Sequence, residues 1–379
     1  MSISHRLAGA VASVVLLLPT GASAAPAALP PLDFLQLNAA IDGLPDGKVS
    51  GAVVQVRGTA GCWQGTGGIA DRDTGAPVPQ DARFRIGSMT KTFTAVVVLQ
   101  LAAEGRISLD GTVQQYLPDL LPAGTAPITI RQMLTYTSGV NGAGIDSKDA
   151  DWYLEHRYDH YPPGSQLDTA APLAFAPGTK QRYGNADYIV AGLLVERVTG
   201  RSWADNVRHR IIAPLGLRAT EVPEEERTIR GPHARGYEIR PDGTWEDITD
   251  ADTSLQWSAA SIISNAPDLD RFLVALFTGR LVRQPYLNEM FTVPDVPLAD
   301  GSGRAVHAAG LTRIALGPLV VWGKSGDRPG YNNGMGATRD LARRLVYSVN
   351  PLNMGGTSQP AAAQRIIMAT FAGAPATGG

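Results

Sequence analysis

The sequence predicts an α/β chain of the α+β kind, with one sheet built from both ends of the sequence and a mostly helical lobe inserted between them. Two observations carry this. Strand-like alternation occurs early, at 51–57 and 62–70, and returns late, at 306–316, 319–324, 335–339 and 344–349. Between them, helical spacing at 130–136, 187–199 and 202–212 is broken by Pro, Gly and Asp clusters. This order predicts a sheet lobe over about 31–115 and 265–372, a helical lobe over about 116–264, and a cleft between them.

The N-terminus reads as a leader. Arg6 precedes an apolar run over 7–18, and Ala22-Ser23-Ala24 fits the small-residue cleavage rule, so residues 1–24 are expected to be removed on export. The run is short for a membrane span, no cysteine follows the cleavage point, and no twin arginine precedes it. The expected product is a secreted, soluble chain with no stable membrane anchor, forming one domain over 25–379. A net charge of -2 and a pI near 6.3 argue against nucleic acid as a partner. Cys62 is the single cysteine, which excludes an internal disulfide; its place in a strand pattern reads as half-buried. A monomer without cofactor is the default expectation.

Residues 25–31 are rich in Pro and Ala, and 32–44 has helical spacing. The stretch 83–86 leads straight into Gly87-Ser88-Met89-Thr90-Lys91. The apolar run over 95–103 that follows reads as a buried helix stopped by Gly105. At spacing i and i+3, Ser88 and Lys91 share one face of that helix. A desolvated lysine can take a serine's proton, and a helix N-terminus offers N–H groups to an oxyanion. By itself S-x-x-K is a weak signal, because many helices contain it by chance.

Two more segments raise it. Tyr183 and Asn185, in Arg182-Tyr183-Gly184-Asn185, project from a turn just before an apolar helix. A tyrosine with a lowered pKa can shuttle a proton, and an asparagine can grip a peptide amide. The plainer reading makes Asn185 a helix N-cap. Lys324, Ser325 and Gly326 end an apolar strand, where an amine, a hydroxyl and a bare glycine can hold a carboxylate and admit a substrate backbone. Gly323-Lys324-Ser325 is no phosphate loop, because Pro318 stands where the first glycine is required. No G-x-S-x-G elbow is present. His156 and His160 stand four apart without an H-E-x-x-H pattern and read as surface histidines, so no metal is expected.

S-x-x-K, then Y-x-N, then K-S-G in this order resembles the penicillin-recognising serine hydrolases. With Tyr183 in the middle motif, the chain is most similar to class C β-lactamases and exocellular serine D-alanyl-D-alanine carboxypeptidases. Arg83-Phe84-Arg85-Ile86-Gly87-Ser88, Tyr116-Leu117-Pro118, Tyr188-Ile189-Val190-Ala191-Gly192 and Pro267-Asp268-Leu269-Asp270 share the likeness, which covers about 45–370. The resemblance implies a β-lactamase/transpeptidase-like α+β sandwich, an antiparallel sheet flanked by helices. It implies Ser88 as nucleophile, with Lys91 and Tyr183 sharing its proton. Asn185 would bind the acyl-side amide, and Lys324, Ser325 and Gly326 the substrate's carboxylate end. The N–H groups of Ser88 and Asp327 would form the oxyanion hole. The implied activity is a D-alanyl-D-alanine carboxypeptidase on peptidoglycan stem peptides, with β-lactams as covalent ligands. A class C-like β-lactamase, or an esterase or D-amino-acid amidase on the same scaffold, is the alternative. The chain departs from the family pattern at Ser325 (usually threonine), Gly184 (usually serine) and Tyr136, which stands at a histidine position in Leu134-Thr135-Tyr136-Thr137-Ser138-Gly139. Asp327 adds a carboxylate beside the expected carboxylate site, and Arg313 is a candidate to assist in holding that group.

Overall fold

The computed structural model describes residues 29–145, 149–354 and 359–371. The leader expected over 1–24 lies outside the described residues. Six antiparallel strands form the main sheet: β1 (Val49–Arg57), β2 (Trp63–Gly68), β3 (Thr312–Leu316), β4 (Leu319–Arg328), β5 (Tyr331–Thr338) and β6 (Arg344–Pro351). Their order is β2-β1-β6-β5-β4-β3, so the first strands pair with the last through β1 and β6. Val53, Trp322, Met335 and Val346 pack into a front core, while Val54, Val56, Val321 and Tyr347 pack into a back one. A sheet covered on both faces buries successive positions, which is why β1 is buried along nearly its whole length, Ser50 and Gln55 included.

The back layer is made by helices α1 (Phe34–Ile41) and α5 (Ala361–Phe371). In front lie α2 (Thr90–Ala103), α3 (Ala186–Thr199) and α4 (Ala266–Phe277). The α2 helix is buried nearly all round, as its composition requires, and Gly105 at φ 71 ends it. Phe93 of α2 stacks on Phe272 of α4 with ring centroids 3.9 Å apart. Asn265 caps α4 by accepting from Asp268 N–H at 3.0 Å.

Several boundaries differ from the sequence reading. The strand expected over 306–316 is confined to β3, because Gly310 sits at φ 77 and breaks the extended run. The β4 strand continues past Lys324 to Arg328. Residues 202–212 form a helical turn, Trp203–Val207, that widens into a π-type turn at Arg208–Ile212. Cys62 is exposed, not half-buried: it precedes β2 in a turn that Gly58 and Gly61 shape with φ of 141 and 117. A short antiparallel pair, Arg83–Arg85 with Ile263–Asn265, ties the approach to Ser88 onto the start of α4.

Candidate active site

Ser88 lies in a single 3-10 turn, Gly87–Met89, that leads into α2. Lys91 follows in the first turn of α2 and is fully buried. Its ammonium donates to Ser88 Oγ at 3.0 Å, Asn185 Oδ1 at 2.8 Å and the Ala259 carbonyl at 3.1 Å. Those are all the donors an ammonium has, so the amine is held in one orientation toward the serine. Asn185 stands at the N-cap position of α3 but makes no side-chain cap bond. Its amide oxygen serves Lys91 instead, so the residue holds the N-cap position without the side-chain bond of a cap.

Tyr183 completes the group from the other side. Its hydroxyl accepts from Lys324 Nζ at 3.1 Å, and the same amine donates to the Ser325 carbonyl at 3.1 Å. The ammonium groups of Lys324 and Lys91 stand 4.6 and 5.2 Å from the Tyr183 ring centroid. Burial alone would raise the phenol, but Lys324, Lys91 and the Ser88 hydroxyl outweigh it and hold it down at about 7. Burial also lowers Lys91 to about 8, with Lys324 pushing the same way and Tyr183 opposing. A serine beside a phenol and an amine that both exchange protons near neutrality can be activated as a nucleophile.

The β4 strand brings in the K-S-G segment. Its pairing with β3 ends at Gly323 opposite Thr312, so among the described residues 324–328 pair with β5 alone. The front face of this segment lies against the Ser88 turn. A Cβ added at Gly326 would stand 1.8 Å from the Ile86 carbonyl and 3.1 Å from Ser88 N. One added at Gly87, itself at φ 54, would stand 2.6 Å from Asp327 N. Both glycines are required for this backbone contact, which brings the Ser88 turn and the Asp327 stretch together. Alternation along β4 places Lys324 and Gly326 on the Trp322 face, and Ser325 and Asp327 on the Val321 face with exposed side chains. The Asp327 carboxylate accordingly adds to burial in pushing up the Tyr347 phenol of the back layer. Arg313 stands on β3 opposite Trp322 and is exposed, short of this edge.

Sequence reasoning missed a second ring of groups. Tyr136 is buried at φ 58, with its ring 4.9 Å from Tyr183 and 5.2 Å from His307. Burial, then the Lys324 and Lys91 charges, hold His307 down at about 3, so its ring is neutral. Asp187, in the first turn of α3, is pushed up by burial to about 7, against the opposing effect of Ser138 and Arg182. None of these carries a motif; only the odd Tyr136 in Leu134–Gly139 was a signal, and it pointed to one of them. His156 and His160 face separate carboxylates, Asp159 at 2.8 Å and Asp252 at 3.2 Å. Among the described residues no cluster of three His, Cys, Asp or Glu side chains could hold a metal.

The family model called Beta-lactamase matches residues 37–369. The chain belongs to the Beta-lactamase family. It shares the β-lactamase/transpeptidase-like fold of that family, whose serine hydrolases include penicillin-binding proteins. It is 37% identical to Esterase EstB of Burkholderia gladioli over 171 residues, 40% of this chain and 41% of that one. It is 31% identical to Penicillin-binding protein 4 of Amycolatopsis lactamdurans over 206 residues, 53% of this chain and 52% of the relative. The chain thus spans about half the length of these curated relatives. Among solved structures, a D-stereospecific amidohydrolase from Streptomyces sp. superposes with TM-score 0.79 at 33% identity, covering 90% of this chain and 100% of the other. A D-amino acid amidase from Ochrobactrum anthropi SV3 shares the fold at TM-score 0.75 and 24% identity, covering 88% and 98%.

Proposed function

We propose that this Beta-lactamase family member is an exported serine hydrolase that cleaves D-configured amides through an acyl-Ser88 intermediate, and that its substrates are peptidoglycan stem peptides ending in D-alanyl-D-alanine. The observation that carries the reading is the bonded chain Ser88–Lys91 on one side and Tyr183–Lys324 on the other. In the forward step the Tyr183 phenolate takes the Ser88 proton as Oγ attacks the scissile carbonyl, with Lys91 kept as the ammonium that orients Oγ. The N–H groups of Ser88 and Asp327 receive the developing oxyanion. Collapse expels the amine, which leaves with the proton from Tyr183, and water then attacks the ester to free the acid and Ser88.

Lys324 and the backbone edge at Ser325 and Gly326 support a substrate that lies antiparallel to β4 with a terminal carboxylate at the Lys324 end, while the Ser325 hydroxyl lies on the Val321 face with Asp327 and takes no part. Asn185 spends its amide oxygen on Lys91, which leaves its Nδ2 to turn toward the acyl side, where it now faces Gln166 Oε1 at 3.4 Å. The same chemistry makes β-lactams covalent ligands of Ser88. Release outside the membrane after cleavage at Ala24, and action as a monomer, belong to this reading. A second reading, a D-amino-acid amidase or esterase, is favoured by the 33% identity with the Streptomyces amidohydrolase along its full length.

Intact mass of the purified protein mixed with benzylpenicillin, followed over time beside Ser88→Ala, tests the proposal. A lasting adduct together with D-alanine release from a stem peptide is the expected result. An adduct that disappears while penicillin is consumed would make the enzyme a β-lactamase. Turnover of D-amino-acid amides with neither adduct nor D-alanine release would replace the carboxypeptidase with the second reading.

A further inference from the structure

The proton transfers above use Tyr183 but not the rings packed against it. The His307 ring lies 5.1 Å from that of Tyr183, tilted by 38°, and meets Tyr136 edge-on at 5.2 Å. His307 is fixed at both ends. Its Nδ1 stands 2.9 Å from the Thr312 hydroxyl, and its backbone is gripped by Gln181. Gln181 is 1% exposed and uses its whole amide. Nε2 donates to the carbonyls of Thr135 at 2.9 Å and His307 at 2.8 Å; Oε1 accepts from the N–H groups of Val306 at 3.0 Å and His307 at 3.1 Å. Arg182 N–H closes the set by donating to the Tyr136 carbonyl at 2.9 Å. One side chain two residues before Tyr183 therefore ties together the three segments that carry Tyr136, Tyr183 and His307. A buried amide with every donor and acceptor satisfied holds the segments it joins in one arrangement.

We propose that His307 and Gln181 are positioning residues for Tyr183: the His307 ring, carried by the Gln181 tie, keeps the phenol between Lys91 and Lys324 and prevents it from turning away from Ser88. The inference rests on the reading of Tyr183 as the group that moves the Ser88 proton. The charged and titratable groups around the phenol are Lys324, Lys91, Ser88, Tyr136, Tyr188, Asp187 and His307 itself. His307 meets Tyr183 ring against ring and carries no hydrogen bond to the phenol, so shape is what it contributes. Phenylalanine reproduces that shape and alanine does not.

The test compares His307→Ala, His307→Phe, Gln181→Leu and Tyr183→Phe. One readout is the ultraviolet difference titration of the Tyr183 phenolate, with Tyr183→Phe as the blank. The other is the pH profile of kcat and KM on an uncharged D-amino-acid anilide. In His307→Ala and Gln181→Leu the titration is expected to rise by about one pH unit, lowering kcat at pH 7 about fivefold with KM little changed. His307→Phe is expected to keep both within about twofold. A folded His307→Ala whose Tyr183 titrates as in the wild type overturns the proposal, and so does a His307→Phe that behaves like the alanine. If the alanine variant does not fold, Thr312→Val frees the ring without opening a cavity, and an unmoved titration there has the same force. A Tyr183→Phe that keeps the wild-type acid limb would instead sink the proton-transfer reading, while the direct titration still reports on the clamp.

Discussion

Replacing Lys324 with methionine removes a positive charge from the phenol and leaves a side chain of similar length. The Tyr183 phenol is held at about 7 instead of 10, a net gain for the phenolate of about 4 kcal/mol, achieved against burial. At 3.1 Å and an effective dielectric of about 20, the Lys324 ammonium alone supplies about 5 kcal/mol. Lys91 remains, and losing Lys324 favours its ammonium form, since Lys324 was one of the charges lowering it. Part of the attraction therefore persists, and the expected rise of the Tyr183 pKa is about two units. In the proposed mechanism the working form is the phenolate, so activity is lost as pH falls through the phenol's pKa. In the wild type that acid limb is expected near pH 7, and the alkaline limb near pH 8, where Lys91 loses its proton. The variant at pH 7 is expected to lose kcat/KM about fiftyfold to a hundredfold and to recover as pH rises. The assay is the pH profile of kcat/KM on an uncharged anilide, which separates this effect from any carboxylate binding by Lys324. An acid limb that stays near pH 7, or a loss equal at every pH, would refute the reasoning.

Three further substitutions probe other parts of the site. Asn185→Ala removes an acceptor 2.8 Å from the Lys91 ammonium, and a charged hydrogen bond of this kind sets an expected loss of about tenfold to a hundredfold in kcat/KM with the melting temperature nearly unchanged. Gly326→Ala places a methyl 1.8 Å from the Ile86 carbonyl, so β4 must move off the Ser88 turn; penicilloyl formation within about twofold of wild type would contradict the backbone contact described above. Phe93→Ala empties the fully buried stack with Phe272 and is expected to cost about 3–5 kcal/mol in urea denaturation.

The sheet and the motif residues were legible because each has a local cause. An apolar run such as 95–103 can only be buried, and Gly105 can only end it. Ser88 and Lys91 are brought together by helical spacing within one turn, so their sequence separation fixes their geometry. The ring cluster had no such cause. Tyr136, Gln181 and His307 meet because three irregular segments converge, and nothing in the residues around His307 distinguishes a ring packed on Tyr183 from a strand residue. The extra length of β4 was missed for a related reason. Ser325, Gly326 and Asp327 are poor strand formers by composition, and their extended backbone is imposed by β5 and by contact with the Ser88 turn. Alternation along that extension also separates Asp327 from the site: the carboxylate expected to oppose substrate lies on the Val321 face.

In the proposed mechanism the position of Lys324 links substrate charge to serine activation. Of the three donors of its ammonium, one goes to the Tyr183 hydroxyl and one to the Ser325 carbonyl, leaving a third for the cleft. A substrate carboxylate accepting that third bond places a negative charge within reach of the same amine that stabilises the phenolate. The carboxylate offsets part of the ammonium's field, so the phenol's pKa must rise in the complex. A neutral amide or ester makes no such demand. For an uncharged substrate the acid limb of kcat is therefore expected at the same pH as that of kcat/KM, since the first reports the complex and the second the free enzyme. For a D-alanyl-D-alanine peptide the acid limb of kcat is expected about one unit higher. Both limbs coinciding for the peptide would mean that its carboxylate is held elsewhere, and the role of Lys324 would then be confined to Tyr183.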